Sequence, residues 1–365
     1  MNLQNGSKQT RVVAAHGGVT FRESKNAVDA CKKVIKHSED AVGAAENLEL
    51  CGCFNAGRGS SLTREGTVEM EAAVCRMDES GELLFGAVGA SARLASPIRV
   101  AEALADSRRE ELNGLIDPLV LVAEGAEKWA RDNDLEVLAE PIVSTEAEKE
   151  WKRAMGKING SKLDDADVPR VMDTVGAVDF SVDDWSSTAA CSSGGVILKR
   201  PGRLGHCTCF GAGVWVEKRT WMEDDRTHRR FVSLTLTGCG EAMVRVDAAR
   251  SMARRITQRP SSMEMPEAIS SFYQTDFNSE NGLLRRVPTA HLCMGGVAVV
   301  REEKKKESID GEEDDDDCMD TVELVFFHNT PFLPVAWRDE RGRVRGIMSR
   351  REEGSEGVQV TVVPL

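Results

Sequence analysis

Apolar positions along the 365-residue chain fall into short blocks, and the spacing within each block predicts a helix or a strand. Arg11-Val12-Val13-Ala14-Ala15 reads as a strand that ends on His16-Gly17-Gly18, and paired glycines after a strand let backbone approach a site closely. The period then changes. Val28, Cys31 and Val34 within 26–37, and Val42, Ala45 and Leu48 within 39–49, recur at helical spacing, with Ser38 as N-cap of the second helix. The glycine-rich turn Phe54-Asn55-Ala56-Gly57-Arg58-Gly59-Ser60 leads to strands over 68–74 and 83–90. Ser96-Pro97 starts a helix running to Asp106. A further helix is predicted over Pro118–Asp132, with Leu119, Val122, Ala126 and Trp129 on one side.

From Ser144 to Asp173 the pattern disappears. The stretch is charged and poor in branched apolar residues, so 144–173 is predicted to be a flexible connection. Strand character begins at once after it: 174–180, a turn at Ser181-Val182-Asp183-Asp184, then 185–191, closed by Ser192-Ser193-Gly194-Gly195. Apolar residues follow at 210–216 and a strand at 231–236. Thr237-Gly238-Cys239-Gly240-Glu241 then opens a helix reaching about Ile256. Backbone N–H groups at such a turn suit the oxyanion of an acyl transfer. Strands at 295–300 and 321–327 flank an acidic loop over 302–318, and the pieces after Pro334 read as a closing hairpin. There is no internal repeat and no phosphate-binding P-loop.

A formal charge of −13 argues against nucleic acid as a partner, because binding phosphates needs a concentrated basic face. The run from Asp310 to Asp317 reads as solvated, since like charges so close resist packing. No apolar stretch approaches the roughly 18 residues that would span a membrane. Met1–Lys8 lacks the apolar region of a secretory signal. An intracellular protein, cytoplasmic or nuclear, is therefore expected, with its ten cysteines reduced. Cys51/Cys53 and Cys207/Cys209 are expected to be small buried residues. A zinc site would want further ligands close by, and no metal site is expected.

The chemistry centres on Met172-Asp173-Thr174-Val175-Gly176-Ala177-Val178, where a polar segment runs into a short apolar strand. A threonine hydroxyl is a poor nucleophile at neutral pH unless a base lies within hydrogen-bond reach. Cutting between Asp173 and Thr174 would free an α-amino group whose ordinary pKa is about 7.7–8.0, fit to take that proton. The β-branch restricts χ1 and steadies Oγ. Alone, the heptad equally describes any loop entering a strand. Likewise His16 alone reads as a structural hydrogen-bonder, Arg203 as an ion-pair arginine, and Ser193 and Asn55 as turn residues.

Seven stretches in order change that picture: Asn55–Ser60, Phe85–Gly89, Asp173–Val178, Ser192–Gly195, Pro201–Gly205, Thr237–Glu241 and Met294–Val297. Together they resemble the asparaginase-2 family of N-terminal nucleophile (Ntn) hydrolases, over most of residues 11–300. Within it the chain looks like the threonine aspartase (taspase) branch. Two residues carry that finer resemblance. Asp173 stands before the nucleophile, and His206 stands where asparaginases keep an aspartate for the substrate's ammonium group. The resemblance implies a single four-layer αββα sandwich over 1–365, cut into an α chain (1–173) and a β chain (174–365). Thr174 would be nucleophile and its amino group the base. Ser193 would support the nucleophile, Thr237 and Gly238 would form the oxyanion hole, and Asn55 would bond near the scissile group. Arg203, with Gly205, His206 and Gly240 around it, would hold a substrate carboxylate, and His16-Gly17-Gly18 would adjust during activation. No cofactor is implied. The implied partners are protein or peptide substrates with Asp at P1, and a second αβ unit forming a dimer.

Against the family pattern, Glu71-Ala72-Ala73 replaces Asp-Ala-Ser, and Arg58 has no counterpart. The function implied is an endopeptidase cutting after aspartate. Two alternatives remain: an isoaspartyl peptidase/asparaginase acting on small substrates, and an uncut relative that binds Asp-containing peptides without hydrolysing them.

Overall fold

The computed structural model describes residues 11–21, 23–24, 26–107, 116–160, 174–306, 319–355 and 357–365. Asp173 and the acidic run at 310–317 lie outside these, as does the rest of the predicted connection after residue 160.

In chain order, strand β1 (Arg11–His16) is followed by helices α1 (Ala27–Lys36) and α2 (Ala41–Cys51). Strands β2 (Met70–Met77) and β3 (Leu83–Ser91) precede α3 (Pro97–Asp106), β4 (Val120–Val122), α4 (Ala123–Asp132) and α5 (Thr145–Gly160). Then come β5 (Val175–Ser181), β6 (Ser187–Ser193), β7 (Val214–Glu223) and β8 (Arg226–Gly238), with helices α6 (Gly240–Arg245), α7 (Ala248–Gln258) and α8 (Met265–Thr275) after them. The chain closes with β9 (Met294–Lys306), β10 (Met319–His328), β11 (Phe332–Arg338), β12 (Val344–Arg350) and β13 (Gln359–Pro364).

The strands form an eight-stranded sheet, β12-β11-β1-β5-β6-β2-β3-β4, and a five-stranded sheet, β13-β10-β9-β8-β7. Period-2 alternation assigns their faces. Val12 and Ala14 of β1, Ala73 and Cys75 of β2, Val178 and Phe180 of β5, and Ala189 and Cys191 of β6 face the second sheet, in one core with α7 and α8. Their sequence neighbours Val13, Ala15, Ala72, Val74, Val175, Ala177 and Ala190 face α1, α2, α3 and α4. Buried strands apolar on both faces require cover on both faces, which gives the αββα layering.

Several elements differ from the sequence expectation. The segment 145–160, expected to be flexible, is helix α5. Its apolar positions Ala147, Trp151 and Ala154 fall at helical spacing on an otherwise charged face. Trp151 packs against Leu62, Val68 and Met70, and its Nε1 donates to the Thr63 carbonyl (2.8 Å). One tryptophan anchors what composition alone marks as a linker. Residues 302–306, placed in the acidic loop, continue strand β9. The predicted helix from Pro118 is a short strand, β4, pairing parallel with β3, and helix begins only at Ala123. The N-cap of α2 is Asp40, which accepts from Gly43 N, whereas Ser38 Oγ donates to the Val34 carbonyl and finishes α1. The helix expected up to Ile256 is broken into α6 and α7 at Asp247, whose φ is 50°. Cys207 is buried as expected, but Cys51 and Cys53 are exposed, because they flank the left-handed Gly52 that ends α2 rather than sitting in a strand. Every described cysteine is a free thiol.

Candidate active site

Strand register assembles the site. His16 lies opposite Gly176, Val175 opposite Ser192, and Glu71 opposite Ser193. The neighbouring strands β1, β5, β6 and β2 therefore bring His16, Thr174, Ser193 and Glu71 to one end of the large sheet. The alternation that points Val12, Val178, Cys191 and Ala73 into the inter-sheet core sends these four polar residues to the same face. All four are buried.

Thr174 donates from Oγ1 to Ser193 Oγ (3.2 Å), which also accepts from Gly195 N (3.0 Å). Asn55 holds the same loop: its Nδ2 donates to the Gly195 carbonyl (2.7 Å) and its Oδ1 accepts from Ser61 N (2.8 Å). Gly195 has φ of 73°, and a Cβ there would lie 3.0 Å from Lys199 Nζ and 3.3 Å from Arg203 Nη1, so glycine keeps room between two cations. Thr174, Asn55, Ser193, Gly195, Arg203, His206 and Gly238 line one cavity with Glu71 and Val196. Its free volume is about 10 Å³, the size of a single water site.

Arg203 is gripped by carboxylates of its own chain. Glu241 accepts from Nε and Nη2, both at 2.9 Å, and Glu71 Oε1 lies 3.5 Å from Nη1. The planar fork fits such bidentate pairing. Glu71 also accepts from Gly205 N (2.5 Å). Burial pushes the Glu71 carboxyl above the usual glutamate range, with Arg203 and then Lys199 opposing the shift. Burial raises the Glu241 carboxyl too, but hydrogen bonds and charge from Arg203 outweigh it, and the net shift is downward. His206 is buried, and the Leu236 carbonyl accepts from its Nε2 (3.2 Å). Gly240 packs against this group, since a Cβ there would sit 2.8 Å from Arg203 Nη2.

On the second sheet, Thr237 Oγ1 accepts from Val19 N (3.4 Å), tying the His16-Gly17-Gly18 loop to the end of β8. Thr237 and the loop sit behind the cavity wall, while Gly238 reaches it. Gly238 has φ of 137°, and a Cβ there would meet the Cys293 carbonyl at 2.1 Å. His16 Nδ1 accepts from Gly18 N (3.2 Å), and burial, then the nearby His206, push its pKa down to about 3. It is a neutral structural imidazole.

Glu71, Lys199 and Glu241 were not among the sequence-derived site residues. The signal for Glu71 was its place in the departure from Asp-Ala-Ser. Glu241 and Lys199 gave none, because charged side chains in glycine-rich turns are ordinarily solvated. Glu49 was also missed. It lies behind the site, accepting from Ser192 Oγ (2.6 Å), Ser96 Oγ (2.9 Å) and Ile98 N (3.2 Å), and burial pushes its pKa up to about 7. Since the folded value exceeds the unfolded one, Glu49 lowers stability progressively between about pH 4.5 and about pH 7, and the penalty then stays constant. A Glu49→Gln protein should therefore gain on the parent by up to about 3 kcal/mol at pH 8 and little at pH 4.5. Denaturant midpoints at both pH values check this, and equal differences at the two would refute it.

Among the described residues no cluster of three His, Cys, Asp or Glu side chains could hold a metal ion. No described helix is long and apolar enough to cross a membrane.

The family model described as asparaginase, Asparaginase_2, matches residues 5–285. The chain is 28% identical over 265 residues to an isoaspartyl peptidase of Escherichia coli (strain K12), covering 66% of this chain and 75% of that protein. It is 27% identical over 290 residues to an isoaspartyl peptidase/L-asparaginase of Mus musculus, covering 75% and 81%. A plant-type L-asparaginase of Pyrobaculum calidifontis is 34% identical over 180 residues, 49% of this chain and 56% of that protein. The mixed α/β sandwich and the extent of the match agree, and the chain belongs to the asparaginase family of Ntn hydrolases.

Proposed function

We propose that this chain is a threonine-nucleophile amidohydrolase that acts on small β-aspartyl substrates, isoaspartyl peptides or asparagine, after self-cleavage between Asp173 and Thr174. One observation carries the choice of substrate. The cavity at Thr174 is lined by a guanidinium, Arg203, and a buried carboxylate, Glu71. A free α-amino acid group carries the complementary pair, a carboxylate for Arg203 and an ammonium for Glu71. His206 removes the aspartate that asparaginases present to that ammonium, and Glu71, on the strand paired with Ser193, leaves one negative charge in the cavity. The names of the relatives support the same reading.

In this scheme Thr174 Oγ attacks the side-chain amide carbon and its proton passes to the freed α-amino group. The oxyanion accepts from the N–H of Gly238, which lines the cavity. Collapse expels the amine, which takes the proton, and water then releases aspartate from the ester on Thr174. Glu241 must leave the Arg203 fork for the substrate carboxylate to enter, because it already accepts from Nε and Nη2. We expect two αβ units to pair.

A second reading, hydrolysis of protein chains after aspartate, draws on Asp173 before the nucleophile and on His206. A backbone-linked Asp presents a carboxylate without an ammonium, so Glu71 separates the readings. With β-Asp-Leu as substrate, Glu71→Gln should lower kcat/KM by about 10–100-fold, the worth of a hydrogen bond between charged groups. For the parent, KM should rise with acidification, starting at a higher pH than an ordinary glutamate would give, as Glu71 takes up its proton. Release of ammonia from L-asparagine and of leucine from β-Asp-Leu, beside cleavage of a peptide with an internal Asp, decides between them. Cleavage of the internal-Asp peptide alone, unaffected by Glu71→Gln, would replace the first reading with the second. A chain that remains whole by intact mass and hydrolyses none of the three substrates would leave an uncut peptide binder.

A further inference from the structure

A second cavity of about 490 Å³ opens between α8, the 289–293 segment and the chain after β12, within the size range of small-molecule sites. Tyr273, Phe277, Leu292 and Val358 give it apolar walls, and Arg351 supplies its charge. Among the described residues no carboxylate lines it, in a chain of net charge −13. Arg351 is held by backbone alone: Nη1 donates to the Asn329 carbonyl (3.0 Å), Nη2 to that of Ser355, and the buried Nε has no acceptor. Among the described residues no acidic side chain neutralises it. Arg203, by contrast, meets two carboxylates, Glu241 and Glu71. A guanidinium without a carboxylate partner, in a concavity with both apolar and polar walls, favours a ligand that brings the missing charge.

We propose that this cavity binds a small organic acid with an apolar or aromatic body, its carboxylate toward Arg351 and its body against Tyr273, Phe277 and Leu292. The site is separate from Thr174 but shares a wall with it. Asn329 Oδ1 accepts from Met294 N (2.8 Å), Tyr273 Oη donates to the Met294 carbonyl (2.7 Å), and the adjoining Cys293 carbonyl accepts from Cys239 N (2.8 Å), next to Gly238.

Calorimetric titration of the full chain with 3-phenylpropionate, 3-phenylpropanamide and 3-phenylpropylamine tests this. The acid should bind saturably and about tenfold or more tightly than the amide, a ratio worth 1.4 kcal/mol or more, and the amine should not bind. Arg351→Gln should make acid and amide equal. Ser270→Phe, which fills the cavity and leaves Arg351 in place, should abolish binding of both, with the parent's melting temperature retained. Equal binding of acid and amide to the parent, no saturable heat from the acid, or acid binding that survives Ser270→Phe would each overturn the assignment.

Discussion

A Thr174→Ala protein is expected to lose hydrolysis of β-Asp-Leu and L-asparagine by a factor on the order of 10⁴ or more, the range found when a covalent nucleophile is removed. It is also expected to remain a single chain by intact mass. Both effects follow from one group: the hydroxyl that attacks the substrate is the one proposed to attack the preceding peptide bond, and only cleavage frees the amine that later serves as base. The cost to the fold should be small. Among the described residues Thr174 Oγ1 bonds to Ser193, a contact worth about 1 kcal/mol. The variant should thus melt within a few degrees of the parent while inactive, which separates chemistry from unfolding. Thr174→Ser keeps the hydroxyl but frees χ1 and should retain measurable turnover. If the alanine variant hydrolyses either substrate within tenfold of the parent, the nucleophile lies elsewhere.

Much of this arrangement is legible along the chain. Short continuous apolar runs in Val12–Ala15, Val175–Val178 and Ala189–Cys191 specify strands, and the motif order specifies the family. The match to relatives named as isoaspartyl peptidases shifts the weight from the endopeptidase to the small-substrate reading, which residue types alone ranked second. The taspase resemblance rested on two positions, Asp173 and His206. His206 was judged as though its place were the sole source of negative charge, but cross-strand pairing sets Glu71 beside Ser193, 122 residues away. Such pairing depends on which strands become neighbours, and no local pattern states that. Helix α5 was missed for the opposite reason: its single anchor, Trp151, is too sparse a signal among charged residues. The pairing of Arg203 with Glu241 is likewise a tertiary event, since the carboxylate lies 38 residues downstream.

Replacing Arg203 should have the second largest effect. Its Nε and Nη2 chelate Glu241, and Nη1 faces Glu71. In the proposed complex the substrate carboxylate takes the place of Glu241, and the arginine keeps Glu71 company. Arg203→Ala removes the fork and leaves a buried carboxylate with the Gly205 N–H and the nearby Lys199. Burial would then press Glu71 further toward its protonated form, so the ammonium anchor weakens along with the carboxylate anchor. Losing one side of a buried charged pair costs about 2–5 kcal/mol, so kcat/KM for β-Asp-Leu should fall by roughly 30-fold to a few thousandfold. Arg203→Lys restores charge but not the planar fork and should recover only part of this. Glu241→Gln should act in the opposite sense, lowering KM severalfold, because the internal competitor for the fork is neutral and its side chain is half exposed. The control is a substrate whose α-carboxylate is amidated, for which parent and Arg203→Ala should differ far less. An equal loss on acid and amide would mean that Arg203 serves the fold rather than the substrate.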